Sequence, residues 1–231
     1  MSSMARKVLI AICLLTTAIA PAYAFAAREI VQNPLLTQNR DGKPRFWKEA
    51  AYKLGDSAAA FSWSVGDDLI GVLRIENKVP NDARYVQTVT VSPNTWYNVS
   101  GWGRAEKVGR DTMGLYLSVM GTFHNSRDLR GTVAWQPLSF WVKTGSLETS
   151  LDIACRLGGY SSLNTGTGWC TGISVTAAGT PNPDSRFVYG KVEQSSSNNK
   201  FWVQAAAVLI VLGSLLLLWR YIRPPSQEGS S

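Results

Sequence analysis

The residues best suited to chemistry in this chain are aromatic and charged side chains that alternate with aliphatic ones. In Tyr85 to Arg104, YVQTVTVSPNTWYNVSGWGR, the odd positions Tyr97 and Val99 fall on one phase, and Trp102 and Arg104 on the other. A period of two assigns each phase to one face of a strand. The same alternation separates Leu115 and Leu117 from Tyr116, and Ile153 and Leu157 from Asp152 and Arg156. Trp102, Arg104, Tyr116, Asp152 and Arg156 therefore form the candidate ligand-binding set. Two aromatic rings and three charged groups suit a polyhydroxylated ligand, which stacks its C–H face on a ring and hydrogen-bonds through its hydroxyls. Catalytic patterns are absent. Asp67-Asp68 is an adjacent pair in a turn, His124 lies in a loop with no Cys or Ser partner, and no nucleophile elbow, H-E-x-x-H or phosphate loop occurs. The expectation is a non-catalytic binding protein.

The elements that must position those residues are short strands. Glu29–Val31, Phe61–Trp63, Leu69–Ile75, the two strands of Tyr85–Arg104 joined at Ser92-Pro93-Asn94, Gly114–Val119, Trp135–Val142, Leu147–Leu157 and Gly172–Val175 all read as β, with no long helical period between residues 25 and 199. Proline lacks the amide donor that a ladder needs, and Asn tolerates turn geometry. Many short strands with Gly, Pro and Asn turns predict an all-β sandwich.

Both ends differ from this middle. Arg6-Lys7, the apolar run from Val8 and the site Ala22-Tyr23-Ala24 read as a secretory signal peptide over 1–24. Phe201 to Trp219 is uncharged, about 28 Å long as a helix, and ends in tryptophans. A transmembrane helix is expected over 200–222, after a polar linker over 177–199, with residues 223–231 as a cytoplasmic tail. Arg220 and Arg223 orient it by the positive-inside rule. The expected protein is single-pass, type I, in the cell membrane, with domain 25–176 periplasmic or extracellular. The net charge of +7 owes much to these ends, since 18 basic residues face 15 acidic ones between residues 25 and 199. Those 18 are scattered, which argues against a nucleic-acid partner.

With the signal peptide removed, Cys155 and Cys170 are the only cysteines. In an oxidising compartment they should pair, closing a loop whose constraint is worth about 3 kcal/mol. One histidine is too few for a zinc site, and neither metal nor cofactor is expected.

The ordered series Asn33-Pro34-Leu35-Leu36, Ala83-Arg84-Tyr85-Val86-Gln87, Tyr97-Asn98-Val99-Ser100-Gly101-Trp102, Trp135-Gln136, Leu157-Gly158-Gly159-Tyr160 and Gly168-Trp169 resembles the CenC-like carbohydrate-binding modules. These are jelly rolls of the galactose-binding-like type. The resemblance spans roughly residues 29–176. It implies a glycan or polysaccharide partner bound on a concave sheet, in a cell-envelope or exopolysaccharide system. It also implies that the strands carrying the five candidate residues are neighbours in one sheet. The family's structural calcium is not expected, because Trp169-Cys170-Thr171-Gly172 and Leu36-Thr37 lack the acids that would hold it. The alternative is an assembly subunit whose sandwich binds a membrane-protein partner. Gln204, Gly213 and Ser214 in the apolar run are compatible with helix packing.

Overall fold

Alternation places the aliphatic phase of each strand in the core. In β7 (Trp96–Val108), Tyr97, Val99, Gly101, Gly103 and Ala105 are buried while Trp102 and Arg104 are exposed. In β10 (Ser150–Leu157), Ile153 and Leu157 are completely buried, as are Leu115 and Leu117 of β8 (Leu115–Val119). The inward residues expected from the sequence are thus inward. The computed structural model describes residues 28–66 and 70–191.

The remaining strands are β1 (Asn39–Arg40), β2 (Lys43–Pro44), β3 (Lys48–Ala51), β4 (Ala59–Val65), β5 (Gly71–Asn81), β6 (Ala83–Thr90), β9 (Gly131–Lys143), β11 (Asn164–Ala178) and β12 (Val188–Tyr189). One sheet runs β3-β6-β10-β8 and another β12-β9-β7-β11-β5-β4, with β1-β2 a small separate ribbon. All pairings are antiparallel except β12 with β9. The inner faces of the two larger sheets supply a single apolar core, with Tyr85, Val89, Leu115, Leu117 and Ile153 from one and Leu73, Ile75, Val99, Phe140 and Ile173 from the other. The fold is an all-β, two-layer sandwich.

The two strands of Tyr85–Arg104 lie in opposite sheets, and the turn between them is a crossing from one layer to the other. Both carry a buried phase, and facing each other across the core buries both at once. The crossing is held by Thr144, whose hydroxyl donates to the carbonyl of Ser92 (2.7 Å) and accepts from the amide of Thr95 (2.9 Å). The amide of Ser92 donates to the Tyr97 hydroxyl (2.8 Å).

Cys155 and Cys170 are joined, with Cα atoms 6.3 Å apart, within the ordinary range for a disulfide. Cys155 is on β10 and Cys170 on β11, so the bond ties the two layers through the core. The stretch expected as a linker from residue 177 starts inside β11 and includes β12. The chain divides after Gly190. Among the described residues no helix is long and apolar enough to cross a membrane. The expected signal peptide (1–24), transmembrane helix (200–222) and Asp67-Asp68 turn lie outside the described residues.

Candidate functional site

The five expected ligand residues all take the outward phase, but of two different sheets. Trp102 and Arg104 point away from the six-stranded sheet, whereas Tyr116, Asp152 and Arg156 belong to the four-stranded one. A single five-residue patch is therefore ruled out by topology. The expectation failed because alternation says which side of a strand is buried and leaves open which layer holds it.

On the six-stranded sheet, Arg104 lies over the ring of Trp169 at 4.6 Å, and Arg74 approaches the same ring at 5.8 Å. Arg74 pairs with Glu76 (3.0 Å), and Arg104 with Glu106 (3.6 Å). These charges satisfy one another. Trp102 is 49% exposed and shares a shallow groove with Trp135, Val72 and Thr171.

The four-stranded sheet carries the more elaborate arrangement. Arg156 stands opposite Tyr116 on β8 and Arg84 on β6. Although on the outward phase, it is only 2% exposed. Its Nε donates to Asp82 Oδ1 and its Nη2 to Asp82 Oδ2, both at 2.6 Å. The ring of Tyr160 covers the guanidinium at 4.3 Å, and Tyr116 lies 5.9 Å away. Tyr160 reaches this position because Gly158 and Gly159 end β10 in a tight turn. Gly159 and Ser162 exchange amide–carbonyl bonds (3.0 and 3.1 Å) around Tyr160-Ser161. Gly158 has φ +86°, and a Cβ there would lie 2.2 Å from the Asn81 carbonyl oxygen, so no other residue fits. Asp152 sits further along β10 and accepts a bond from the Thr88 hydroxyl (2.6 Å).

Tyr160 separates two cavities. The first, about 370 Å³, is lined by Tyr52, Asp82, Arg84, Tyr160, Ser161 and Leu163. The second, about 290 Å³, is lined by Tyr116, Ser118, Phe123, His124, Arg156 and Tyr160, among others. Ser118 follows Tyr116 on the outward phase of β8 and is 2% exposed, yet its hydroxyl makes no hydrogen bond. A buried hydroxyl without a partner costs about 1–3 kcal/mol, and this one is sealed beneath the wall of the second cavity. Burial pushes the Tyr116 hydroxyl up to about 12, with Arg156 opposing and Asp82 adding to the rise; it stays protonated at neutral pH and can both donate and accept. His124, in the loop after β8, is half-buried and stacked on Tyr189 at 4.6 Å. Burial lowers its pKa, partly offset by Glu148, so it enters the cavity wall as a neutral ring. Among the described residues no three His, Cys, Asp or Glu side chains gather as a metal site would require.

Sequence reasoning placed Tyr116 and Arg156 at this site and missed Ser118 and the His124 contact. Tyr160 carried a signal as an aromatic after a Gly-Gly pair, where a tight turn must present it.

No protein-family model matches the chain, and no curated protein does. Solved structures are similar at low identity. The enzymatically active domain of tailspike protein 4 of bacteriophage CBA120 has a TM-score of 0.45 and 10% identity; the match covers 65% of this chain and 21% of that one. The module TmCBM61, solved with beta-1,4-galactotriose, has a TM-score of 0.43 and 16% identity over 66% of this chain and all (100%) of that one. A CBM4 structure has a TM-score of 0.44 and 16% identity over 64% and 99%.

Proposed function

We propose that this chain is a non-catalytic glycan-binding module, its sandwich of the jelly-roll type, and that it binds sugar in the cleft on the outer face of the four-stranded sheet. The observation that carries this reading is the second cavity. It joins the Tyr116 hydroxyl and the neutral His124 ring to the exposed faces of Tyr160 and Phe123. Small-molecule sites combine apolar walls with a few convergent polar groups in this way. Sugar hydroxyls supply the donors and acceptors that such groups lack.

The test compares Tyr160→Ala with Trp102→Ala in the full-length chain on a glycan array. Tyr160 is 53% exposed, so its loss should leave the fold intact and reduce retention by about tenfold or more, as removal of a central aromatic does. Trp102→Ala should leave retention unchanged. Equal retention by Tyr160→Ala and wild type would place the sugar elsewhere.

A second reading, a subunit that docks a membrane-protein partner, is favoured by the exposed Trp102–Trp135 groove. Loss of retention in Trp102→Ala alone would instead restore the six-stranded face as the sugar site.

The membrane tether is proposed from the sequence of residues 1–24 and 200–222, with the domain outside the cytoplasm, serving a cell-envelope or exopolysaccharide system. Protease added to intact spheroplasts should digest the sandwich and spare a tag on the C-terminal tail. A protected sandwich would reverse the topology.

A further inference from the structure

Arg84 and Arg156 stand directly opposite each other on β6 and β10. Like charges in that position repel unless an acceptor lies between them, and Asp82 is that acceptor. Its two oxygens are shared unequally. Arg156 engages both through its Nε/Nη2 edge, at 2.6 Å each. Arg84 reaches Asp82 only through Nη1, at 3.3 Å to Oδ2 and 3.4 Å to the main-chain oxygen. Among the described residues, Nε and Nη2 of Arg84 have no acceptor. Neither is a sealed, unsatisfied atom, and Arg84 lines the first cavity.

The two guanidiniums thus differ in one respect. The edge that Arg156 uses to grip a carboxylate is the edge that Arg84 leaves free. That edge presents two parallel N–H donors and matches the two oxygens of a planar carboxylate. The lining of the two cavities carries Arg84 and Arg156 against Asp82, so one positive charge is left without an acid. Tyr52 and Tyr160, which line the same cavity, are 69% and 53% exposed and give it apolar walls.

We infer that the first cavity takes a uronic acid residue of an acidic polysaccharide, its carboxylate on the Nε/Nη2 edge of Arg84 and its ring between Tyr52 and Tyr160. This rests on the glycan-binding reading and narrows it from sugars in general to carboxylated ones. Sulfated sugars present an anion too, but a tetrahedral one, and form a separate arm of the test.

The experiment uses the full-length chain in detergent and immobilised polysaccharides of three kinds. They are neutral polymers, polyuronates (polygalacturonate, alginate and glucuronate-bearing polymers), and sulfated dextran. Each polyuronate is offered both native and carboxyl-reduced. The wild type should be retained on at least one polyuronate and lose about tenfold to a hundredfold on its carboxyl-reduced form, the range for hydrogen bonds to a charged group. Arg84→Gln should bind the native and reduced forms equally. Arg84→Lys keeps the charge without the two-donor edge and should recover only part of the preference. Tyr160→Ala should weaken both forms. Retention that ignores carboxyl reduction, retention on neutral polymers alone, or a preference that survives in Arg84→Gln would overturn the acidic-sugar inference and leave the glycan reading intact. Preference for sulfated dextran over every polyuronate would overturn the carboxylate assignment. Retention on none of the polymers would bring down both.

Discussion

Replacing Arg156 by Met should destabilise the protein by about 3–5 kcal/mol, because it leaves the Asp82 carboxylate buried without its partner. Asp82 is 4% exposed and Arg156 2%, so water cannot take over. The loss should fall toward the lower end, since Arg84 already lies 3.3 Å from Asp82 Oδ2 and can turn toward it. Two further variants separate the charge from the packing. Asp82→Asn with Arg156→Met removes both charges and should regain most of the stability, as removal of a whole buried pair commonly does. Arg84→Gln added to Arg156→Met should deepen the loss. Urea unfolding of the purified chain measures all three. A single-variant loss below about 1 kcal/mol, the level of an exposed pair, would show that the pair is solvated.

Asn164→Ala should cost a similar amount, about 3–5 kcal/mol, for a different reason. The Asn164 side chain closes the end of the sandwich next to the cleft. Its Nδ2 donates to the carbonyls of Gly109 (3.0 Å), Thr112 (3.3 Å) and Met113 (2.9 Å), and its Oδ1 accepts from the amides of Gly109 and Thr165, both at 2.8 Å. Asn164 is 3% exposed. Each ordinary hydrogen bond contributes only about 0.5–1.5 kcal/mol, but a stranded buried group costs about 1–3. Five bonds are lost at once, and water entering the vacated space recovers only some of them. Asn77 donates from below to the carbonyls of Asn81, Leu157 and Asn164 (3.3, 3.1 and 3.1 Å). Asn77→Ala and Asn164→Ala share this neighbourhood and should therefore not be additive. A drop in urea midpoint no larger than that of an exposed Asn→Ala control would refute the assignment.

The core was legible in the sequence because apolar residues recur with a period of two in β7, β8 and β10, and Tyr97, Val99, Leu115, Leu117, Ile153 and Leu157 are all buried. The disulfide was legible from cysteine number and the expected compartment, and the Cα separation agrees. The partition into sheets was not, since Trp102 and Arg156 share a phase and sit on opposite outer faces. The cleft was least legible of all. Its walls come from the turn around Tyr160 and the loop carrying Phe123 and His124, which meet only after folding. No local pattern marks a serine such as Ser118 as one whose hydroxyl will lack a partner.

β12 has a mechanical meaning. It is two residues long and runs parallel to β9 at the edge of the larger sheet. The amide of Trp141 donates to the Phe187 carbonyl (2.9 Å), and the Tyr189 hydroxyl donates to the Asn125 carbonyl (2.9 Å). The Tyr189 ring rests on His124 and, edge-on, on Phe140. Any tension applied to the chain beyond Gly190 enters the sandwich here, by covalent connection, before it reaches a longer strand. Among the residues that bear that load are His124, through its ring, and Asn125, through its main-chain carbonyl, and both line the second cavity. The place where such tension enters the sandwich and part of the wall of its cleft are the same residues.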